Sequence, residues 1–264
     1  RLLVGVPPLK GMVMNHITLS LLAALATSFA LPNVALAGNE GASTVRPAGY
    51  KPLAGDPVLG EKLFNDAILS STGAMSCASC HDKGNHHAAA DTRSVPAGAE
   101  AGHEAGRQAP SLQYLKFNTA FAFAADGTPT GGFTWDGRAA TLAEQAGGPL
   151  LNPVEMAMPS KEAVVAKIAH IPEYQKMFKD VYGDEKGQIT FDNITHAIAA
   201  FERTLLTPTR WDDYLKGNIS ALNEQERKGL KSFMDNGCIA CHAGVTLGGN
   251  SFQKFGLLIR QLNI

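Results

Sequence analysis

The sequence has 264 residues, of which 45% are apolar, and its formal net charge is −1. This length and apolar content are enough to bury a core, which excludes disorder as the main state of the chain. The balanced charge gives no basic field that would attract a nucleic acid, so we expect no nucleic-acid partner.

The N-terminal residues are typical of a leader rather than of folded protein. The chain does not begin with Met, and an apolar run ends in Ala35-Leu36-Ala37, the small-x-small pattern that precedes signal-peptide cleavage. We predict a leader and signal peptide over residues 1–37, a mature start at Gly38 and export to the periplasm. An uncleaved membrane anchor is the alternative. Polar residues and a proline interrupt the run, which is short for a span, so we expect no stable membrane span.

All four cysteines fall into two copies of one motif, CASCH at residues 77–81 and CIACH at residues 238–242. Two thiols at this spacing can each add to one vinyl group of a haem, and the histidine that follows can ligate the iron. We therefore predict two covalently bound c-type haems, held by Cys77, Cys80 and His81 and by Cys238, Cys241 and His242. A zinc site and disulfides are the alternatives, but zinc leaves both histidines unexplained.

Helical periodicity dominates the rest of the chain, and no segment shows the alternation of a strand. We predict, in chain order, an extended lead-in over residues 38–55, a helix over residues 56–65, a surface loop over residues 88–106, two helices within residues 161–182 and a helix over residues 190–206. Pro172 should divide the pair of helices, and Thr190 should cap the last one. The predicted fold class is all-α.

A short helix precedes each motif, with the patterns GEKLF at residues 60–64 and GLKSF at residues 229–233. This weak repeat predicts two cytochrome c-like haem domains in tandem, over residues 56–206 and 207–264. The segment over residues 206–211, rich in threonine and proline, is the expected linker.

The chain resembles the bacterial dihaem cytochrome c peroxidase family, which includes the enzyme that matures the tryptophan-derived cofactor of methylamine dehydrogenase. The motifs that carry the resemblance are LGEKLFNDAILSSTGAMSCASCH, GRQAPSL, TWDGRAATLAEQAGGPLLNPVEM, AIAAFERTL and the second CIACH. The resemblance implies that the first domain is peroxidatic and that the second, which we expect to be truncated, transfers electrons. Hydrogen peroxide is the implied substrate, and a small cytochrome c or cupredoxin is the implied electron donor.

The resemblance also assigns site residues. His81 would ligate the reacting iron and His242 the relay iron, with Trp135 between the haems, Gln145 in the distal pocket and Glu155 as acid and base. One carboxylate can take a proton from bound peroxide and return it to the leaving oxygen, while an amide holds the oxidant by hydrogen bonds without titrating.

Each of these roles has an ordinary alternative. Glu155 could be a solvated surface acid, and Trp135 could pack in the core. Arg138 could pair with a haem propionate or could lie on the surface.

Two departures from the family limit what the resemblance implies. The distal His of many members falls on Glu100, so we expect an open first iron and do not assign His103 to it. A calcium ion between the domains and a homodimer are family features, but Gln108 replaces an Asn of the calcium site and leaves calcium open. No Met follows His242, where the distal ligand of the second iron is expected.

Three functions compete on this basis. The first is a peroxidase, for which the pair Gln145 and Glu155 is the discriminating feature. The second is an enzyme that oxidises residues of a partner protein to mature its cofactor. The third is a dihaem electron carrier without catalysis, in which both irons are six-coordinate and Glu155 has no part in turnover.

Overall fold

The computed structural model describes residues 56–183, 188–249 and 252. The predicted leader, signal peptide and lead-in over residues 1–55 lie outside these residues, and so do residues 184–187, 250–251 and 253–264. None of the helices that the structure describes is long and apolar enough to cross a membrane.

Helices dominate the described part of the chain, in agreement with the predicted fold class. The α-helices are α1 (Pro57–Asn65), α2 (Cys77–Cys80), α3 (Leu142–Leu151), α4 (Lys161–Ile168), α5 (Pro172–Tyr182), α6 (Phe191–Glu202), α7 (Arg210–Leu215) and α8 (Glu224–Asp235). Single 3₁₀ turns cover Ala67–Leu69, Lys83–Asn85, Leu115–Phe117, Ile219–Ala221 and Cys238–Ala240.

The described strands are only two residues long. They are β1 (His81–Asp82), β2 (Ala88–Ala89), β3 (Ala122–Phe123) and β4 (Pro129–Thr130). β1 pairs with β2 and β3 with β4, both antiparallel. These pairs close loops and build no layer of their own.

Helix α6 is the centre of the core. Its face of Ile194, Ile198 and Phe201 is buried, as the periodicity predicted, and the main-chain turn at Ala197 packs directly against Gly60 of α1. Thr190 Oγ1 accepts a hydrogen bond from the amide of Asn193, which confirms the predicted N-cap. The helix ends at Glu202, four residues earlier than predicted.

The other predicted helices are also present. Asp56 caps α1 by accepting from the amide of Leu59 at 2.6 Å, and Pro57 takes the first helical position. Pro172 begins α5 after a break that ends α4, because a proline has no amide to continue the preceding helix.

Helix α3 was missed by the sequence analysis, because its Gly147, Gly148 and Pro149 are typical of a loop. Packing overrides that preference. Leu142 and Leu150 are buried, and Gly147 is close enough to α6 that an added Cβ would lie 3.0 Å from the ring of Phe191. The glycine thus lets two helices approach.

The segment after residue 207 forms a more exposed set of helices. Arg210 of α7 makes two hydrogen bonds, at 3.0 and 2.8 Å, to the carboxylate of Glu226 of α8. None of the residues of α8 is buried. This helix leads into the second cysteine pair.

Candidate functional site

The first CASCH motif begins as the short helix α2. The amide of Ser76 donates to Ser79 Oγ at 3.0 Å, which closes a capping box at the start of the helix. The two cysteines lie one turn apart, at opposite ends of α2. Both are free thiols, as are Cys238 and Cys241. The disulfide alternative is therefore not what the structure contains.

His81 is fixed by a hydrogen bond from its own ring. Its Nδ1 lies 3.3 Å from the carbonyl oxygen of His87, and since a carbonyl can only accept, Nδ1 carries the proton. With Nδ1 protonated, Nε2 is the nitrogen that could ligate a metal, and the main chain of Pro110 also forms a hydrogen bond to the ring. Burial lowers the pKa of His81, which favours the neutral ring that ligation needs.

The turn after His81 brings that carbonyl into place. His86 and His87 both have left-handed backbone conformations, with φ of 53° and 54°, which is rare for residues other than glycine. The turn reverses the chain so that β2 pairs with β1, His81 opposite Ala89. The His87 ring is buried against Phe64 and Phe201, with centroids 5.9 and 6.1 Å away.

His242 repeats the same arrangement on the second motif. Its Nδ1 lies 3.0 Å from the carbonyl oxygen of Leu247, another residue in the left-handed region, with φ of 51°. Both motif histidines therefore present Nε2 with Nδ1 protonated. The two histidines are held by turns of different sequence. Their similar hydrogen bonds therefore do not follow from the C-x-x-C-H spacing itself.

The donor set fits haem better than zinc. Each motif offers two free thiols and one imidazole with a defined tautomer, which is what thioether attachment and one axial ligand require. Within residues 56–183, 188–249 and 252, no group of three or more His, Cys, Asp or Glu side chains is placed to hold a metal ion. The two cysteine pairs do not meet as the zinc alternative requires.

Glu155 lies beside the first motif. Its charge raises the pKa of the Cys80 thiol, second in effect to burial. Burial in turn raises the pKa of the Glu155 carboxyl, while the side chain of Asn152 and the charge of Arg138 act in the opposite direction. A half-buried carboxyl with a raised pKa close to Cys80 is a candidate proton carrier.

The loop over residues 88–106 contacts Glu155. The amide of Ala99 donates to the carbonyl oxygen of Glu155 at 2.7 Å, and the charges of Asp91 and Arg93 act on Cys80. The loop thus lies beside the first motif, as expected for a cover over it. His103 is exposed, and its main chain bonds to Gly98 and Glu100 within the loop.

Gln145 lies partly buried in a helix, whereas Trp135 lies exposed on the surface. Gln145 is half-buried in α3, four residues after the N-cap Thr141. Its main-chain N–H donates to the carbonyl oxygen of Thr141. The side chain of Trp135 is 60% exposed, and its Nε1 donates to the carbonyl oxygen of Gln108 at 3.2 Å. Core packing, the ordinary alternative for Trp135, is therefore wrong.

The structure brings two further polar residues to the first motif that the sequence analysis did not select. Gln113 Nε2 donates to the carbonyl oxygen of His86 at 3.1 Å and lies 3.3 Å from His87 Nδ1. Glu202 is buried at the end of α6, and its charge acts on Cys77. A signal for Glu202 was present, since it continues the buried series of Ile194 and Ile198 at intervals of four.

Comparison with known proteins decides the family. The family model for di-haem cytochrome c peroxidase matches residues 56–220 of the chain. The chain belongs to the dihaem cytochrome c peroxidase family. The match includes the first motif and Glu155, and it ends before the second motif begins.

Named relatives support the same family. The cytochrome c551 peroxidase of Pseudomonas aeruginosa is 39% identical over 90% of this chain and 67% of its own length. The methylamine utilization protein MauG of Paracoccus denitrificans is 35% identical over 70% of this chain and 50% of its own length. The first of these relatives supports peroxidase activity, and the second supports the cofactor-maturation alternative.

A solved structure shows the likeness in three dimensions. The diheme peroxidase BthA of Burkholderia thailandensis aligns with a TM-score of 0.61 at 32% identity, covering 70% of this chain and 48% of its own. The chain therefore spans between about half and two thirds of the length of these three proteins.

Proposed function

We propose that the chain is an exported dihaem c-type cytochrome that reduces hydrogen peroxide to water with two electrons from a small cytochrome c or cupredoxin. The supporting family members carry the name cytochrome c peroxidase. In this proposal, residues 56–206 are the peroxidatic domain and residues 207–264 the electron-transfer domain. The periplasm is the proposed compartment, because thioether haem attachment and the leader-like sequence both go with export.

The observation that carries the proposal is the position of Glu155. Its half-buried carboxyl lies close enough to Cys80 to act on the thiol, and burial raises its own pKa. Reduction of peroxide consumes two electrons and two protons for each pair of water molecules formed. A carboxylate at this place can take a proton from the near oxygen of peroxide and return it to the departing oxygen.

The bound haem would supply the iron that accepts peroxide and receives the electrons. The chain's own residues do the rest. Cys77 and Cys80 would hold the porphyrin, and the hydrogen bond from His81 Nδ1 to the His87 carbonyl would hold the His81 ring in place as a ligand of the iron. Gln145, proposed for the distal pocket, would hold the oxidant by hydrogen bonds.

The second motif gives the electron route. His242 has the same fixed tautomer as His81, so it is equally prepared to ligate iron. Trp135 exposes most of its indole ring, and the proposal places it between the two haems as an aromatic relay.

The experiment compares the haem-loaded wild type with Glu155→Gln. The variant keeps the shape of the side chain and removes the proton carrier, so kcat/KM for peroxide should fall by between ~10²- and ~10⁴-fold. The matched control is Glu144→Gln, a neighbouring acid whose carboxylate accepts from the amide of Ala140 on the exposed side of α3. A Glu155→Gln variant with the turnover of the control would contradict the assignment.

Cofactor maturation is the second candidate, favoured by the MauG match. It shares the iron chemistry but takes electrons from residues of a partner protein. The two functions separate in one assay, because a peroxidase consumes peroxide steadily with a reduced small cytochrome as the only donor. A chain that is reoxidised once by peroxide and then stops would favour maturation.

A further inference from the structure

Glu202 is a buried acid with no part in the chemistry proposed above. Its exposure is 4%, and it is the one carboxylic acid among the described polar and charged residues that are buried. It stands at the last position of α6, eight residues after Ile194 and four after Ile198, on the helix face that forms the core. Its place inside the protein is therefore set by the packing of α6.

One oxygen of this carboxyl is left unsatisfied. Glu202 Oε2 is buried and has no hydrogen-bond partner among the residues that the structure describes. Folded proteins seldom leave a buried polar atom unpaired, because its desolvation is then not compensated. An exception of this kind needs a reason in the function or in a bound group.

The neighbour of Glu202 is the first cysteine of the haem motif. The charge of Glu202 raises the pKa of the Cys77 thiol. Its effect is second to that of burial, which also raises this pKa. The preceding residue of α6, Phe201, also belongs to this region. The ring of Phe201 lies 5.2 Å from Phe64 and 6.1 Å from His87, the residue whose carbonyl holds His81. Glu202 therefore lies at the Cys77 edge of the proposed haem.

The charged groups around Glu202 are few. Arg203, the following residue, favours the ionised form of the carboxyl but has a smaller effect than burial. Helix α3 carries one acid, Glu144, which is exposed and bonded to Ala140. On α1, Lys62 pairs with Glu173 at 3.0 Å, and the other charged residue, Glu61, is exposed.

We infer that Glu202 exchanges a proton when the first haem changes its redox state, so that reduction of this haem is coupled to proton uptake. The inference rests on the proposed function, since it needs a haem on Cys77. One electron from the donor protein lowers the charge of the iron by one unit, and one proton from solvent neutralises the Glu202 carboxylate. The net charge of the buried region is thereby conserved.

The titration of Glu202 supports this coupling. Burial raises the pKa of the carboxyl to about 8. The carboxyl is therefore mostly protonated at pH 7 and ionises in mildly alkaline solution, and this is the pH range in which reduction of the haem would be accompanied by proton uptake. A carboxylate beside the haem stabilises the more positive, oxidised iron, so ionisation of Glu202 lowers the reduction potential.

The test measures the reduction potential of the first haem against pH in the haem-loaded full chain. The relevant step is the one that disappears when Cys77 and Cys80 are both changed to Ala. In the wild type, the potential should fall with rising pH over the range around pH 8. In Glu202→Gln it should stay flat over this range, while the control Glu144→Gln should keep the wild-type slope.

A second variant is needed in case the Glu202→Gln protein does not fold. Glu202→Leu fills a similar volume without any polar atom and should also lose the slope. Equal slopes in the wild type and in either folded Glu202 variant would overturn the inference.

The proposed function is tested separately, by measuring the haem content and the peroxide turnover of the wild type at pH 7. A wild type with two haems and normal turnover, together with equal slopes, would refute only the role of Glu202. A wild type without haem on Cys77 would refute both.

Discussion

Two carboxyl groups flank the first cysteine pair, Glu155 on the side of Cys80 and Glu202 on the side of Cys77. Burial raises the pKa of both, but Glu155 remains half-buried beside a loop while Glu202 is enclosed by the core. A proton carrier for peroxide must reach an external substrate. Glu155 is partly exposed and Glu202 is 4% exposed, so the proposed role of proton carrier fits Glu155 and not Glu202, although the two are the same residue type.

The acid side of the pH profile tests the role of Glu155. A base must be ionised to accept a proton, so kcat/KM for peroxide should fall as pH decreases through the raised pKa of Glu155. The charge of Arg138 lowers that pKa, so Arg138→Gln should move the fall to higher pH. The control Lys176→Gln, which removes an exposed partner of Asp180, should not move it. An unchanged profile in Arg138→Gln would contradict the assignment.

The pH dependence of stability tests the burial of Glu202. Its folded pKa of about 8 lies above the value of about 4.3 expected in the unfolded chain. Between these values the folded state keeps a proton that the unfolded state releases. The contribution of Glu202 to the free energy of unfolding should therefore fall by about 1.4 kcal/mol per pH unit as pH rises, and level off above pH 8.

Urea unfolding of the haem-loaded chain at several pH values measures this slope. In Glu202→Gln the contribution of this residue is absent, so the curve should be flatter between pH 5 and 8. A wild type and a variant with parallel curves would show that Glu202 is accessible to water.

The residues of the site were only partly predictable. The cysteine pairs and their histidines follow from spacing alone, and the place of Glu155 beside the first pair follows from the family motif. The carbonyls that orient His81 and His242 do not, because they depend on left-handed turns at His86, His87 and Leu247, a conformation that is uncommon for any residue other than glycine.

Among the helices, those with an uninterrupted apolar face were predicted best. Helix α6 has such a face and a good N-cap, and Pro172 at the first position of α5 marks the start of that helix. Helix α3 could not be found in this way, since its two glycines and its proline disfavour a helix locally. It forms because Leu142 and Leu150 are buried in the core, a tertiary effect.

The contact between α1 and α6 gives a direct test of this packing. A Cβ on Gly60 would lie 2.0 Å from the carbonyl oxygen of Ala197, so Gly60→Ala must push the helices apart. The expected loss of stability is about 1–3 kcal/mol or more. Urea unfolding followed by far-UV circular dichroism measures it.

Gly229→Ala is the matched control, on the exposed helix α8. An added Cβ there meets nothing within 4 Å, and alanine is the better helix former, so this change should be neutral or should stabilise by about 0.5–1 kcal/mol. Two variants with the same effect would show that α1 and α6 do not approach as closely as described.

At the scale of the whole molecule, the buried residues are unevenly distributed along the described chain. Residues 56–206 contain nearly all of the buried core, whereas the second motif follows a helix without a buried residue. The tandem arrangement of two haem domains was predicted from the repeated motif. The matching fixed tautomers of His81 and His242 support it, and the domain boundaries remain a prediction.

The number of haems per chain tests the central claim most directly. The chain should be expressed with a haem-attachment system, purified and measured as the pyridine haemochrome. We predict two covalently bound haems in the wild type, and one when Cys238 and Cys241 are both changed to Ala. A colourless wild-type chain, or one that carries zinc in place of porphyrin, would contradict the account.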